Sequence, residues 1–153
     1  MPSLQSTASG RRKGRGGRFD ECWCVMDAEQ ESEHDAVRAA VRLLRDNGFR
    51  VCLSNPAFEV WLLAHFVKTS RSFADCNAVV KALNPKWKKR FRRDYDKSDG
   101  RAVAGLVPDA PKAIRNAKAV RDSHFAEQSD TCLCNSSTEV YRLVETLWPQ
   151  KEA

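Results

Sequence analysis

Glu21-Cys-Trp-Cys-Val-Met26 is a short apolar run that ends at Asp27, and the fold class follows from it. A run of this length with polar residues on both sides is typical of a buried strand. Phe49-Arg-Val-Cys-Leu53 has the same character and predicts a second strand. The two strands are far enough apart in the chain to hold a helix between them.

That helix is predicted from His34 to Asn47, where apolar residues recur at the spacing of one helix face. Asn47-Gly48 then provides a left-handed stop. The face consists of Val37, Ala40, Val41 and Leu44. A strand, a helix and a strand of these lengths imply a parallel pair with a right-handed crossover. The fold class is therefore α/β, with a small parallel sheet flanked by helices.

The remainder of the chain predicts mainly helices, so the C-terminal half should be helix-rich. A helix is expected from Pro56 to Lys68, because proline suits the first helical position and Asn55 can cap the free N–H groups. A shorter helix should run from Ser72 to Leu83, since the residue before a proline disfavours helix and Asn84-Pro85 follows. Two more helices are expected over 101–106 and 109–127.

A final helix is expected after Ser137-Thr138, which can cap its N-terminus. Its apolar stripe is formed by Val140, Leu143, Val144 and Leu147. At 153 residues the chain has room for one domain with a hydrophobic core. We place that domain at residues 20–148, between a disordered basic arm at 1–19 and a short tail at 149–153.

Most of the net charge of +6 comes from the arm, which holds five basic residues and no acidic one. A basic arm can neutralise phosphates, and a solubilising tail has the same composition. No apolar run approaches the roughly 20 residues of a membrane-spanning helix. The N-terminus also lacks the apolar core of a secretory signal, so we expect a cytoplasmic protein.

Six cysteines in a cytoplasmic chain should be reduced. Cys22-Trp-Cys24 and Cys132-Leu-Cys134 raise the question of zinc, but ligating cysteines are usually spaced by two to four residues. Positions two apart on a strand point to the same side. Cys22 and Cys24 are therefore interpreted as small core residues.

Acidic side chains follow both predicted strands. Asp27 and Glu29 leave the first strand as a pair two residues apart that can face one side and share a hard cation, and Mg²⁺ prefers such oxygen ligands. Glu59, one turn into the next helix, could point to the same region. As the single acidic residue of an apolar helix, it needs a cation, a hydrogen-bond donor or access to solvent. A polar loop and a favourable charge at a helix N-terminus would explain the same residues without a metal.

A second candidate is Lys86-Trp-Lys-Lys-Arg-Phe-Arg-Arg93, in which two aromatic residues lie among six cations. Such a segment can stack bases and hold phosphates. Trp87 and Phe91, four residues apart, could instead pack on the core while the cations face water. His65 shares the apolar stripe of Phe58 and Trp61, which favours a core histidine over a general base.

Ser54-Asn-Pro-Ala-Phe-Glu-Val-Trp-Leu-Leu-Ala-His-Phe66 resembles the signature of the RloB-like family at nearly every position. The Cys-Trp-Cys-Val strand ending in an acidic pair, Tyr95-Asp-Lys97 and the segment Ser136 to Val144 occur in the order that the family shows. The resemblance covers about residues 20–148.

The resemblance implies a Toprim-like nuclease, encoded beside an ABC-type ATPase partner in anti-phage abortive-infection and restriction-associated loci. It implies that Asp27 and Glu29 bind Mg²⁺ or Mn²⁺, with Glu59 and Lys97 completing the catalytic set. It also places Asn55 and the cationic cluster in contact with nucleic acid, either DNA or RNA. That cluster comprises Lys86, Lys88, Lys89, Arg90, Arg92 and Arg93.

The chain departs from the family pattern at two points. The glutamate-bearing loop that usually opens the family is absent, since residues 1–19 are rich in Ser, Gly and Arg, and Glu29 stands where the family has a second aspartate. A truncated reading of a longer protein or a degenerate copy would explain the first departure. The competing hypothesis is therefore a non-catalytic subunit that docks on the ATPase.

Overall fold

A three-stranded sheet organises the residues that the computed structural model describes, 19–127 and 130–148. Its strands are β1 (Trp23–Asp27), β2 (Arg50–Asn55) and β3 (Ser137–Thr138), in the order β1-β2-β3. β1 and β2 are parallel, in a register that pairs Asp27 with Ser54. Helix α1 (His34–Asp46) connects them. The predicted strand–helix–strand unit is confirmed.

β3 runs antiparallel to β2, so the sheet is mixed and the expectation of a parallel sheet holds only for β1 and β2. Thr138 pairs with Ser54, and their buried hydroxyl groups are 2.7 Å apart. Ser137-Thr138 is therefore a strand and not only a helix cap, although the Thr138 hydroxyl does accept the N–H of Val140. Two polar residues are too few to show the alternation of apolar and polar positions that predicts a strand.

The remaining elements are helices, as predicted for the C-terminal half. They are α2 (Glu59–Ala64), α3 (Cys76–Phe91), α4 (Gly100–Ala104), α5 (Ala110–Phe125) and α6 (Val140–Leu147). Short 3₁₀ turns occupy Glu31–Glu33, Val107–Asp109 and Thr131–Leu133. The larger of two core clusters lies among α2, α3, α5 and α6, and the smaller lies between α1 and the sheet.

Helix α2 is shorter than the predicted 56–68, and its cap is a different residue. Asn55 is the last residue of β2, where its buried amide donates to the Cys132 carbonyl at 2.6 Å. Asp27 accepts the Phe58 N–H instead, at 2.8 Å. A carboxylate from the neighbouring strand thus replaces the local cap that the sequence suggested.

His65 follows α2 as a buried histidine, as expected. One ring nitrogen, Nδ1, lies 2.9 Å from the Trp61 carbonyl, and burial lowers the pKa of the imidazole. The cysteine prediction holds in part. All six cysteines are free, but Cys22 is exposed and Cys24 only half-buried, so neither belongs to the core. Cys22 precedes β1, and none of the five residues of this edge strand is fully buried.

Helix α3 continues through Pro85, where the sequence predicted a break. It continues because its second half is attached to the core: Trp87 is fully buried, and its ring centroid lies 4.7 Å from that of Phe91. The helix ends at Arg92 in the left-handed region, with φ of 62°.

The predicted basic arm, apart from Phe19, and the predicted tail lie outside the described residues. None of the helices within the described ranges combines the length and the apolar character needed to cross a membrane.

Candidate functional site

Asp27 lies at the carboxyl end of β1, half-buried, and faces the start of α2. Its Oδ1 accepts the Phe58 N–H, and no other hydrogen bond to this carboxylate is made within the described part of the chain. One oxygen therefore fixes the side chain in place, and the second is left for a ligand.

Glu59 opens α2 and is 3% exposed. The Tyr95 hydroxyl donates to its Oε1 at 3.0 Å, and the Cys76 thiol donates to its Oε2 at 3.3 Å. The ammonium group of Lys97 lies 3.6 Å from Oε1, on a side chain that is 74% exposed. A buried carboxylate requires such donors, and here α3 and the loop that follows it supply them.

The charges of this region act on one another. The pKa of Asp27 is raised, chiefly by burial and then by the charges of Glu29 and Glu59, while the Phe58 N–H and Lys97 oppose the rise. Burial and the neighbouring Glu59 raise the pKa of the Cys76 thiol to about 11. The Glu59 charge also raises the pKa of Lys97. Asp27, Glu59 and Lys97 thus share one electrostatic environment.

Glu29 lies near Asp27, but not for the reason that the sequence predicted. β1 ends at Asp27, and Glu29 is exposed with a φ of 60°, so the alternation of a strand does not extend to it. Its N–H donates to the Pro56 carbonyl at 3.0 Å, which holds the turn against the start of α2. The two carboxylates are electrostatic neighbours, but strand geometry is not the reason.

The donor set suits a cation that keeps most of its own water. Among the described residues, no group of three His, Cys, Asp or Glu side chains could hold a metal ion. Mg²⁺ commonly binds through one or two carboxylates, with water and substrate phosphate completing its shell. Asp27, with Glu29 beside it, fits that pattern, whereas Glu59 would have to release the donors that already satisfy it.

The sequence profile of the RloB-like protein family matches residues 3–147. The chain belongs to this family. The match confirms the resemblance carried by residues 54–66, and it begins within the segment interpreted as a basic arm. Neither a curated protein nor a solved structure matches the chain.

The cationic cluster of this RloB-like chain is formed by the second half of α3 and the two residues that follow it. Trp87 and Phe91 pack on the core and the cations face solvent, as the second interpretation proposed. Lys88, Arg90 and Arg93 form ion pairs with Asp94, Asp109 and Asp99. Within the described chain, Lys86, Lys89 and Arg92 form none. About half of the cluster is thus available to an anionic partner.

Asn55 lies apart from that surface. It is 1% exposed, and its amide is bonded to the main chain of the 131–133 turn. A contact with nucleic acid would require this side chain to become exposed.

Cys76 was not among the candidates that the sequence suggested, and Tyr95 entered only through the family resemblance, without its contact to Glu59. The lone acidic residue in an apolar helix did indicate that Glu59 needs a partner. Its partners lie 17 and 36 residues further along the chain, so no local pattern could identify them.

Proposed function

We propose that this RloB-like chain is a Toprim-like, metal-dependent nuclease that cleaves phosphodiester bonds of nucleic acid, with Asp27 as the main ligand of Mg²⁺ or Mn²⁺. The observation that carries the proposal is the state of Asp27. It is a fixed, half-buried carboxylate with one uncommitted oxygen, and burial together with the charges of Glu29 and Glu59 raises its pKa. A bound divalent cation would relieve that repulsion.

Each residue then has a distinct part. Asp27 holds the cation, and Glu29 contributes negative charge at the solvent side. Glu59 is a positioning residue, because its hydrogen bonds and ion pair hold Tyr95 and Lys97 in place. Lys97 is exposed and can contact the substrate phosphate, and Lys86, Lys89 and Arg92 can bind the backbone further away. When bound, the metal supplies Lewis-acid polarisation of the phosphodiester and activation of water.

A second candidate is a non-enzymatic subunit of an ABC-type ATPase in anti-phage defence. One observation favours it: Asp27 caps α2, and both oxygens of Glu59 are bonded within the fold. Such contacts would also be present in a purely structural network. The ATPase and the defence role are proposed from the family resemblance.

The nuclease proposal is tested with Asp27→Asn, which can still accept the Phe58 N–H but lacks the charge. We expect Mg²⁺-dependent cleavage of plasmid or tRNA by the native chain, together with Mg²⁺ binding in calorimetry. Cleavage and Mg²⁺ binding should each weaken by at least about tenfold in the variant. Losses of about that size occur even when a residue that only supports a metal ligand is replaced. Asp20→Asn, at an exposed position just before β1, is the matched control.

Equal cleavage by the native chain and Asp27→Asn would overturn the proposal, because the activity would not depend on the Asp27 carboxylate. No cleavage by either protein, with the ATPase present, would favour the non-enzymatic subunit. Unchanged Mg²⁺ binding in the variant would remove Asp27 as the ligand even if cleavage fell.

A further inference from the structure

A cavity lies between α1, the end of α5 and the 131–133 turn. Its volume is about 490 Å³, within the roughly 300–1,000 Å³ that is typical of small-molecule sites. Asp27, Glu59 and Lys97 are not among its lining residues. Its walls include Leu53, Val41 and Cys132, which are apolar.

Four arginines line this cavity, against three carboxylates. Arg38, Arg42 and Arg45 are spaced four and three residues apart on α1, so they occupy neighbouring positions on one face of that helix. Arg121 reaches the cavity from α5.

Two of the arginines are held in place by the fold. Arg38 is 2.6 Å from Asp130. Arg121 is 2.9 Å from the buried Glu139, and its guanidinium carbon lies 4.4 Å from the centre of the Phe125 ring. The Nε of Arg121 is buried and has no hydrogen-bond partner within the described chain. Two arginines of the cavity wall are thus fixed by carboxylates, and the Nε of one of them is left unpaired.

The other two arginines are uncommitted. Arg42 and Arg45 are exposed and form no ion pair with any described residue. Among the carboxylates that line the cavity, Asp46 is likewise exposed and without an ion pair to a described residue. Guanidinium groups bind phosphate oxygens through two parallel hydrogen bonds, which makes arginine the usual residue for recognising phosphate.

We propose that this cavity binds a mononucleotide, with its phosphate on Arg42 and Arg45 and its base against the apolar wall. The volume accommodates a group of that size, whereas a nucleic-acid strand requires an extended groove. The Phe125 and Arg121 pair lies at the same wall and offers a planar surface for the base. This ligand site is independent of the proposed nuclease site.

Calorimetry with AMP, adenosine and inorganic phosphate tests the proposal. The native chain should bind AMP, bind phosphate more weakly, and not bind adenosine. Arg42→Gln and Arg45→Gln should each weaken AMP binding by about tenfold, as expected for loss of one charge-assisted contact. Both positions are exposed, so the variants should fold, which their thermal unfolding would verify.

Two matched controls separate this site from general charge and from the nuclease site. Arg115→Gln removes an exposed α5 arginine that has no ion pair among the described residues and should leave AMP binding unchanged. Asp27→Asn should also leave it unchanged. The proposal is overturned if the native chain binds no AMP, if either control weakens binding as much as the cavity variants, or if only a single-stranded oligonucleotide binds.

Discussion

Asp27 combines a favourable contact with an unfavourable charge. It caps α2 through the Phe58 N–H, yet burial and the nearby carboxylates raise its pKa. A carboxyl group whose pKa is raised by folding holds its proton more tightly in the folded state than in the unfolded chain. The folded state is therefore disfavoured as the pH rises from about 3.9, the ordinary value for aspartate, through the raised pKa.

Asp27→Asn should consequently increase the free energy of unfolding at neutral pH, because it removes the charge and keeps an oxygen for the cap. The increase should shrink as the pH falls towards about 4, where the native side chain is itself becoming neutral. Urea denaturation across this range measures both quantities. Asp20→Asn is again the control and should show no such trend. A variant less stable than the native chain at neutral pH would contradict the argument.

Glu59 shows how much of the candidate site could be predicted from a single residue of the sequence. An acid inside an otherwise apolar helix indicates a buried carboxylate with partners, and the structure confirms its burial at 3% exposure. The partners of Glu59 depend on where the fold places α3 and the loop that follows it. Tyr95 and Lys97 were singled out through the family resemblance, whereas Cys76 and the contact between Tyr95 and Glu59 could not be recognised before the fold was known.

Helix α3 contains a proline that its own backbone does not favour. Pro85 cannot donate to the carbonyl four residues earlier, and its ring crowds that carbonyl. The helix persists because Trp87 is fully buried beyond it and Asp75 caps its first turn. Packing of the second half therefore offsets a local preference for a break.

Replacing this proline, as Pro85→Ala, should stabilise the protein by about 1–2 kcal/mol, since it restores one backbone hydrogen bond and loses only the stiffness that proline gives the unfolded chain. Urea denaturation provides the measurement. Pro111→Ala is the matched control. Pro111 lies in the first turn of α5, where a backbone N–H has no carbonyl partner within the helix, so replacing the proline restores no hydrogen bond. If Pro85→Ala destabilised the protein, the helix would depend on the proline for its shape.

The elements that sequence patterns predicted are those with long local signals. β1, α1 and β2 follow from two apolar runs and one helical stripe, all within about 35 consecutive residues. β3 could not be predicted, because it has two residues and its place in the sheet is decided by pairing with Ser54 and Asn55 over 80 residues earlier. The cap of α2 was missed for the same reason, since a distant carboxylate displaced the adjacent Asn55.

One carboxylate joins the sheet to two helices of the C-terminal half. Glu139 follows β3 and is 2% exposed. Its Oε1 accepts the Leu53 N–H of β2 at 3.0 Å, and its Oε2 is 2.9 Å from Arg121 of α5. Arg142 of α6 lies 3.4 Å from the same oxygen. The contact with Leu53 joins residues 86 positions apart, so Glu139 contributes to the arrangement of the whole domain.

Glu139→Ala should therefore destabilise the protein by about 2–4 kcal/mol, because it leaves the buried Leu53 N–H unpaired and removes the carboxylate partner of the half-buried Arg121. Glu145→Ala provides the comparison. Glu145 pairs with Lys118 on α5, both side chains are about a third to a half exposed, and its removal should cost no more than about 1 kcal/mol. Urea denaturation followed by circular dichroism distinguishes the two. Similar losses for both variants would mean that Glu139 is hydrated in solution and that apolar packing alone holds α5 and α6 against the sheet.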